Sequence, residues 1–147
     1  MTDFTFAHRE EGFDEHINWS IRGYSDLLND VVSFSRYFVE NDTNMVDIGC
    51  STGKVTQALM EYNKDHAPRA HYVGVEIAEG FFDDLNKRAD ALNMMGSVEF
   101  VFDDIRNYRF ENCNLVTSIF TLQFMSKKDR ARVINEIYQG LNFGGGF

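Results

Sequence analysis

Met45-Val46-Asp47-Ile48-Gly49-Cys50-Ser51-Thr52-Gly53-Lys54 is the stretch that decides the fold of this chain. An apolar run stops at a glycine, a tight loop of Gly, Ser and Thr follows, and a helical pattern begins at once. This order predicts a strand, a turn and a helix N-terminus within about ten residues. In an open α/β sheet such a corner binds nucleotide-like ligands, because glycine permits close approach and the helix start offers unpaired N–H groups.

Strand and helix patterns alternate after residue 44, which predicts an α/β fold with a mostly parallel sheet flanked by helices. We expect a single domain over residues 1–147, with an N-terminal arm at 1–20, a lid or packing helix at 21–40 and an α/β core at 44–147. Strands are predicted at 45–49, 71–76, 98–102 and 115–120, and helices at 24–40, 55–63, 80–93 and 127–139.

The composition narrows the class of ligand. Fourteen Lys and Arg against 23 Asp and Glu give a net charge of -9, so strong direct nucleic-acid binding is not expected, and a small-molecule substrate fits better. Cys50 and Cys113 form no Cys/His cluster, which predicts no metal site and no disulfide framework. Neither a signal-peptide pattern nor a membrane-length apolar run is present, so we expect a cytoplasmic protein without a membrane partner.

The spacing within the glycine loop excludes two phosphate-binding motifs. A P-loop needs one more residue between Gly49 and Gly53, and Val55 stands where that motif has a metal-binding hydroxyl. A dinucleotide fingerprint would need glycines where Ser51 and Lys54 stand. The remaining ligand is a nucleoside without phosphates.

Asp47 to Gly53 resembles the first motif of class I S-adenosylmethionine (SAM) dependent methyltransferases. The resemblance implies a Rossmann-like fold, with Glu76 holding the ribose hydroxyls and Asp104 contacting the adenine amino group. Each feature has an ordinary alternative: the glycines could only shape a turn, Glu76 could be a surface residue, and Asp104 could cap a helix. Their joint occurrence in this order favours the cofactor pocket. Cys50 is predicted to be a small buried residue, because no base for a nucleophile is evident.

More of the chain resembles the carboxy-S-adenosylmethionine synthase branch of that family. The branch implies conversion of SAM and prephenate to carboxy-SAM, used in tRNA wobble-uridine modification, with SAM, S-adenosylhomocysteine or carboxy-SAM as the bound molecule. The motifs that carry the resemblance are Ile21–Tyr24, Asp47–Ser51, Asp104–Arg106, Phe120–Phe124 and Ile137–Asn142. The predicted cofactor-binding residues are Tyr24, Gly49, Cys50, Ser51, Gly53, Glu76, Ile77, Asp104, Ile105 and Ile119.

The chain departs from that branch in several places. The branch has Asp-Asn where Glu76-Ile77 stand, an asparagine at Ile119 and a proline at Arg22. The chain stops at Phe147, where the family enters its fifth strand, so we expect a truncated fold that lacks the last strands and the arginine for the cofactor carboxylate. Four strands would leave the fourth as an open apolar edge, which predicts a homodimer that covers it.

Two other functions stay open from the sequence. One is an ordinary SAM-dependent methyltransferase that acts on a small molecule or on RNA. The other is a catalytically incomplete SAM-binding or partner module. No catalytic residue is predicted, because transfer from SAM depends mainly on placing the acceptor beside the sulfonium.

Overall fold

The computed structural model describes residues 12–147 as a five-stranded parallel sheet with helices on both faces. Residues 1–11 of the predicted arm lie outside the described residues. The strands are β1 (Asn44–Ile48), β2 (His71–Glu76), β3 (Ser97–Phe102), β4 (Cys113–Ser118) and β5 (Leu141–Gly146). The helices are α1 (Phe13–Ser20), α2 (Tyr24–Ser35), α3 (Lys54–Asn63), α4 (Phe82–Leu92) and α5 (Lys127–Gly140), with short 3-10 turns at Glu79–Phe81 and Leu122–Phe124.

Strand β1 lies at the centre of the sheet, whose order is β3-β2-β1-β4-β5. All neighbouring strands are parallel, so their carboxyl ends meet at one edge. The registers place Asp47 beside Gly74 on one side and beside Thr117 on the other. The predicted Rossmann-like α/β class is therefore confirmed, and the loops after β1, β2 and β4 surround one crevice.

The two faces of the sheet are covered by different helices, as the period-2 alternation of β1 requires. Met45 packs on the side of α2 and α3, in a cluster that contains Val39, Leu59 and Leu115. Val46 and Ile48 point to the opposite side and pack against Val133 and Ile137 of α5. In residues 12–147 no helix has the length and apolarity needed to cross a membrane.

The predicted count of four strands is wrong, because Leu141–Gly146 forms a fifth. This strand pairs with β4 at Cys113 and Leu115, with an irregularity between them. The glycines near the end of the chain predict a loop. The segment forms an edge strand only because it pairs with β4. The apolar edge of β4 is therefore partly covered within the chain itself.

The end of β4 also differs from the sequence-based prediction of 115–120. The strand stops at Ser118, and Ile119 and Phe120 leave the sheet. Phe120 has a φ of 56°, a left-handed conformation that a strand does not tolerate. Helix α2 likewise ends at Ser35 instead of residue 40, where the buried Ser35 hydroxyl accepts a hydrogen bond of 2.7 Å from the Asn63 side chain.

Candidate functional site

A cavity of about 1030 Å³ opens at the carboxyl ends of the strands. It is lined by nine of the ten predicted cofactor residues, and Gly53 is the exception. The structure thus brings together groups from α2, the loop after β1, the end of β2, the loop after β3 and the loop after β4. The nine residues are Tyr24, Gly49, Cys50, Ser51, Glu76, Ile77, Asp104, Ile105 and Ile119.

The loop after β1 is held by backbone hydrogen bonds to the neighbouring strand. The N–H groups of Gly49 and Cys50 donate to the Val75 carbonyl at 2.8 and 3.1 Å. The Gly53 N–H donates to the Cys50 carbonyl at 2.8 Å, and Gly53, with a φ of 74°, is the residue before α3. Gly53 therefore shapes the turn into the helix instead of lining the cavity.

Glycine at position 49 is required by both backbone conformation and space. Its φ is 68°, and a Cβ placed there would lie 2.4 Å from the Thr121 hydroxyl oxygen. The Thr121 hydroxyl donates a 3.0 Å hydrogen bond to the Ile48 carbonyl, which fixes the side chain against the loop. The loops after β1 and β4 are thus in contact at Gly49, where the missing side chain leaves room for Thr121.

Ser51 occupies a strained position in this loop and is held there by Glu76. Its φ is 50°, in the left-handed region that non-glycine residues rarely adopt. The Ser51 N–H donates to Glu76 Oε2 at 2.8 Å. Strain of this kind persists only where the surroundings impose it, and it is concentrated at functional sites.

The Glu76 carboxylate is buried, with 6% of the residue exposed, and its partners are backbone groups. Its Oε1 accepts hydrogen bonds from the N–H groups of Ile77 and Ala78 at 3.0 and 2.8 Å. Among residues 12–147 no cation forms an ion pair with it. With the Ser51 bond, three of the roughly four acceptor sites of a carboxylate are used, which leaves one on Oε2 for a ligand.

Asp47 is a second buried carboxylate beneath the loop. The hydroxyls of Thr56 and Thr117 each donate to it at 2.9 Å, from α3 and β4. Burial raises the pKa of the Asp47 carboxyl to about 6, with the charge of Glu76 adding to the effect and the threonine bonds opposing it. The two buried acids, whose charges interact, therefore make the cavity floor negative at neutral pH.

We expect Asp47→Asn to remove a pH dependence of stability. The pKa of Asp47 is higher in the folded protein than in the unfolded chain. The protonated carboxyl therefore favours the folded state fully below about pH 4, and this contribution is lost as the pH rises through about 6. The loss amounts to about 2–3 kcal/mol. In urea unfolding between pH 4 and 7, the free energy of unfolding of the natural chain should fall by this amount relative to that of the variant. Parallel dependences of the two free energies on pH would contradict the assignment.

Asp104 follows β3 and is clamped by Arg106. Arg106 Nε lies 2.9 Å from both Asp104 oxygens, and its NH2 group forms a further bond to Oδ2. The Arg106 guanidinium holds the pKa of the Asp104 carboxyl below its ordinary value. Asp104 also accepts the Arg106 N–H at 2.9 Å, so it does shape a local turn as well as face the cavity.

The outer walls combine Tyr24, which was predicted, with residues that were not among the predicted cofactor residues. On one side the rings of Tyr24 and Phe120 lie 6.2 Å apart. On the other, the Thr52 hydroxyl donates to Asp14 at 3.0 Å, which fastens α1 over the glycine loop. The aromatic Phe120–Phe124 run was a visible signal for the first wall, whereas no periodicity marks Asp14.

Neither Cys50 nor Tyr24 is prepared for catalysis by its environment. Cys50 is buried, as predicted, and burial raises the pKa of its thiol well above the ordinary value. A reactive thiolate requires the opposite shift. Burial also raises the pKa of the Tyr24 hydroxyl, with the charges of Asp14 and Asp47 adding to it.

Acidic groups dominate the cavity lining. Two lining residues carry a fixed positive charge within the described part of the chain, Lys54 and Arg106, and Arg106 is paired with Asp104. The site is therefore suited to a ligand that offers hydrogen-bond donors and a positive charge. The lining carboxylates are Asp14, Asp47, Glu76, Asp103, Asp104 and Asp129.

Sequence comparisons identify the family to which the chain belongs. The sequence model of a family described as a methyltransferase domain matches residues 45–145. The carboxy-S-adenosyl-L-methionine synthase of Staphylococcus epidermidis is 33% identical over 135 residues, which cover 92% of this chain and 56% of that protein. The synthase of Klebsiella pneumoniae is 33% identical over 146 residues, covering 99% and 58%. The chain thus spans a little over half of the length of these curated relatives.

Solved structures share the fold at lower identity. DesVI from Streptomyces venezuelae superposes with a TM-score of 0.63 at 16% identity, over 93% of this chain and 54% of that one. A SAM-dependent methyltransferase from Thiobacillus denitrificans, solved with S-adenosyl-L-homocysteine, gives a TM-score of 0.59 at 22% identity, over 80% and 44%. These similarities concern the fold.

Proposed function

The chain belongs to the methyltransferase domain family, and from that premise we propose that its cavity binds S-adenosylmethionine for a group-transfer reaction. The observation that carries the proposal is Glu76, a buried carboxylate beside the glycine loop that has a free acceptor site and no cationic partner among the described residues. A buried charge of this kind is costly unless a ligand compensates it.

The residues present fit this cofactor. The remaining acceptor site of Glu76 suits a ribose hydroxyl, and the ionised Asp104 suits the adenine amino group. The acidic floor formed by Asp47 and Glu76 matches a ligand with a positive charge. The glycine loop closes the same edge of the cavity with its backbone.

The chain's own residues contribute positioning and electrostatics. The cofactor, when bound, supplies a methyl group activated by a positively charged sulfur. The carboxylates of the floor attract that charge, while Phe120 and Tyr24 present aromatic rings on one wall of the cavity. Such transfer needs alignment more than acid or base catalysis, which agrees with the absence of a prepared nucleophile at Cys50.

We further propose synthesis of carboxy-SAM from SAM and prephenate as the specific reaction, and thereby a part in tRNA wobble-uridine modification. Support comes from relatives that bear the synthase name and align with almost the whole chain. Those relatives are longer, and the aligned region covers 56% and 58% of their lengths. Self-association along the part of β4 that β5 leaves uncovered and a cytoplasmic location also stay predictions.

One observation favours ordinary methyl transfer as a second candidate. Carboxy-SAM and prephenate both carry additional carboxylates, which would need a cation. In the described part of the cavity the guanidinium of Arg106 is engaged by Asp104 and by Asp129, the latter at 3.5 Å, which leaves Lys54 as the one fixed cation of that lining outside an ion pair. A neutral or cationic acceptor meets no such obstacle.

The molecule that copurifies with the chain would test both candidates. We expect mass spectrometry of the purified protein to show a SAM-type ligand, with carboxy-SAM supporting the synthase reaction and SAM alone favouring methyl transfer. Calorimetry with SAM and S-adenosylhomocysteine provides the affinity. If neither binds at millimolar concentration, the cofactor assignment is wrong.

A further inference from the structure

Arg106 joins two separate elements at the rim of the cavity. Its Nε and NH2 groups form a fork on the Asp104 carboxylate, after β3. Its NH1 group lies 3.5 Å from Asp129 Oδ2, in the first turn of α5. The side chain is 46% exposed and lines the cavity, whereas that of Asp104 is 18% exposed. The guanidinium is thus held between two carboxylates from different parts of the chain.

Asp129, the outer anchor of Arg106, is itself fixed by contacts at the start of α5. The Asp129 N–H donates to the Ser126 hydroxyl oxygen at 3.1 Å, and that hydroxyl donates to Asp129 Oδ2 at 2.8 Å. Ser126 is the N-cap of this 14-residue helix. A carboxylate near a helix N-terminus is also favoured by the helix dipole. Asp129 therefore provides a stable position against which Arg106 can hold Asp104.

The fork determines what Asp104 can accept. Three N–H groups of Arg106, the backbone one included, use most of the roughly four acceptor sites of the carboxylate, so the direction of the remaining site is set by Arg106. The paired carboxylate also stays ionised and acts only as an acceptor. It will bond an amino group and repel a carbonyl oxygen placed at the same point.

We propose that Arg106 is a positioning residue that makes the cavity selective for a purine with an exocyclic amino group, adenine over hypoxanthine. The inference rests on the proposed function, because it needs the adenosyl ligand to bind with its base at Asp104. Arg106 acts through Asp104 and does not itself contact the base. Its replacement should therefore change discrimination between bases more than overall binding.

The test compares S-adenosylhomocysteine with its hypoxanthine analogue, S-inosylhomocysteine, by calorimetry on the full chain. We expect the natural protein to prefer the adenine form by about tenfold or more, as sites built around a buried polar contact do. Arg106→Gln should reduce that preference to about threefold or less, mainly by weakening the binding of S-adenosylhomocysteine. Arg106→Lys should retain an intermediate preference, since it keeps the charge but loses the fork.

The control is Arg109→Gln, which removes an exposed arginine paired with Glu111 and should leave the preference unchanged. Equal weakening of both ligands by Arg106→Gln, or an unchanged preference, would overturn the inference while leaving SAM binding in place. Should Arg106→Gln not fold, Asp129→Asn removes the outer anchor and should lower the preference at least about twofold; no change there counts against the role. Failure of the natural protein to bind either ligand would instead refute the proposed function.

Discussion

Replacing Glu76 by alanine should weaken binding of S-adenosylmethionine by at least about tenfold, or about 1.4 kcal/mol. The change removes the acceptor proposed for the ribose hydroxyl, and it also releases the N–H groups of Ser51, Ile77 and Ala78 that the carboxylate now holds. Ser51 is thereby freed from a strained conformation, so the loop loses its shape as well as its charge. Calorimetric titration with SAM measures the effect.

Two further variants separate charge from geometry. Glu76→Gln keeps the size and one acceptor oxygen but loses the charge, so its affinity should fall between those of the natural chain and Glu76→Ala. Glu111→Ala removes an exposed carboxylate paired with Arg109 outside the cavity lining, and it should bind SAM like the natural chain. An unchanged dissociation constant for Glu76→Ala would exclude Glu76 from the cofactor site.

Gly49→Ala should lower the free energy of unfolding by about 3 kcal/mol, the largest stability effect that we expect from one methyl group in this loop. Part of the loss comes from the φ of 68°, which disfavours any side chain. The rest comes from overlap with Thr121, whose hydroxyl is hydrogen-bonded to Ile48 and cannot move away without breaking that bond. Urea denaturation with a fitted midpoint measures it.

Gly144→Ala is the matched control for this substitution. Its φ of 83° imposes a similar backbone cost, but nothing lies within 4 Å of the added Cβ. The free energy of unfolding of Gly144→Ala should fall by only about 1 kcal/mol. Equal losses in the two variants would mean that contact between Gly49 and Thr121 contributes nothing, and that the loops after β1 and β4 are not packed as described.

The sequence was most informative where the backbone itself imposes the residue type. Gly49 stands at a conformation and a close approach that only glycine tolerates, so the turn was visible without any structure. Glu76 and Asp104 were assigned through the resemblance to the methyltransferase family, and the parallel sheet brings the ends of their strands, β2 and β3, together. Local rules thus located the turn, whereas the resemblance to the family supplied most of the other predicted residues that line the cavity.

The features that could not be predicted from the sequence depend on contacts between segments that are distant along the chain. The Arg106 clamp crosses from the loop after β3 to α5, and no spacing rule connects Arg106 with Asp129. The Ser126–Asp129 capping pattern was a local signal for the start of α5, but it does not reveal that Asp129 faces the cavity. Strand β5 was missed because its glycines lack strand propensity and pair only through β4.

The buried acids Asp47 and Glu76 couple the binding of a cationic ligand to the release of protons. Near pH 6 the Asp47 carboxyl is still partly protonated, mainly because burial disfavours its charged form and also because the charge of Glu76 repels it. A cationic ligand that settles above them takes over the compensation, and the proton is released to solvent. Binding heats measured in buffers of different ionisation enthalpy will therefore differ, and the number of protons released will be largest between the pKa of Asp47 in the free protein, about 6, and its lower pKa in the complex.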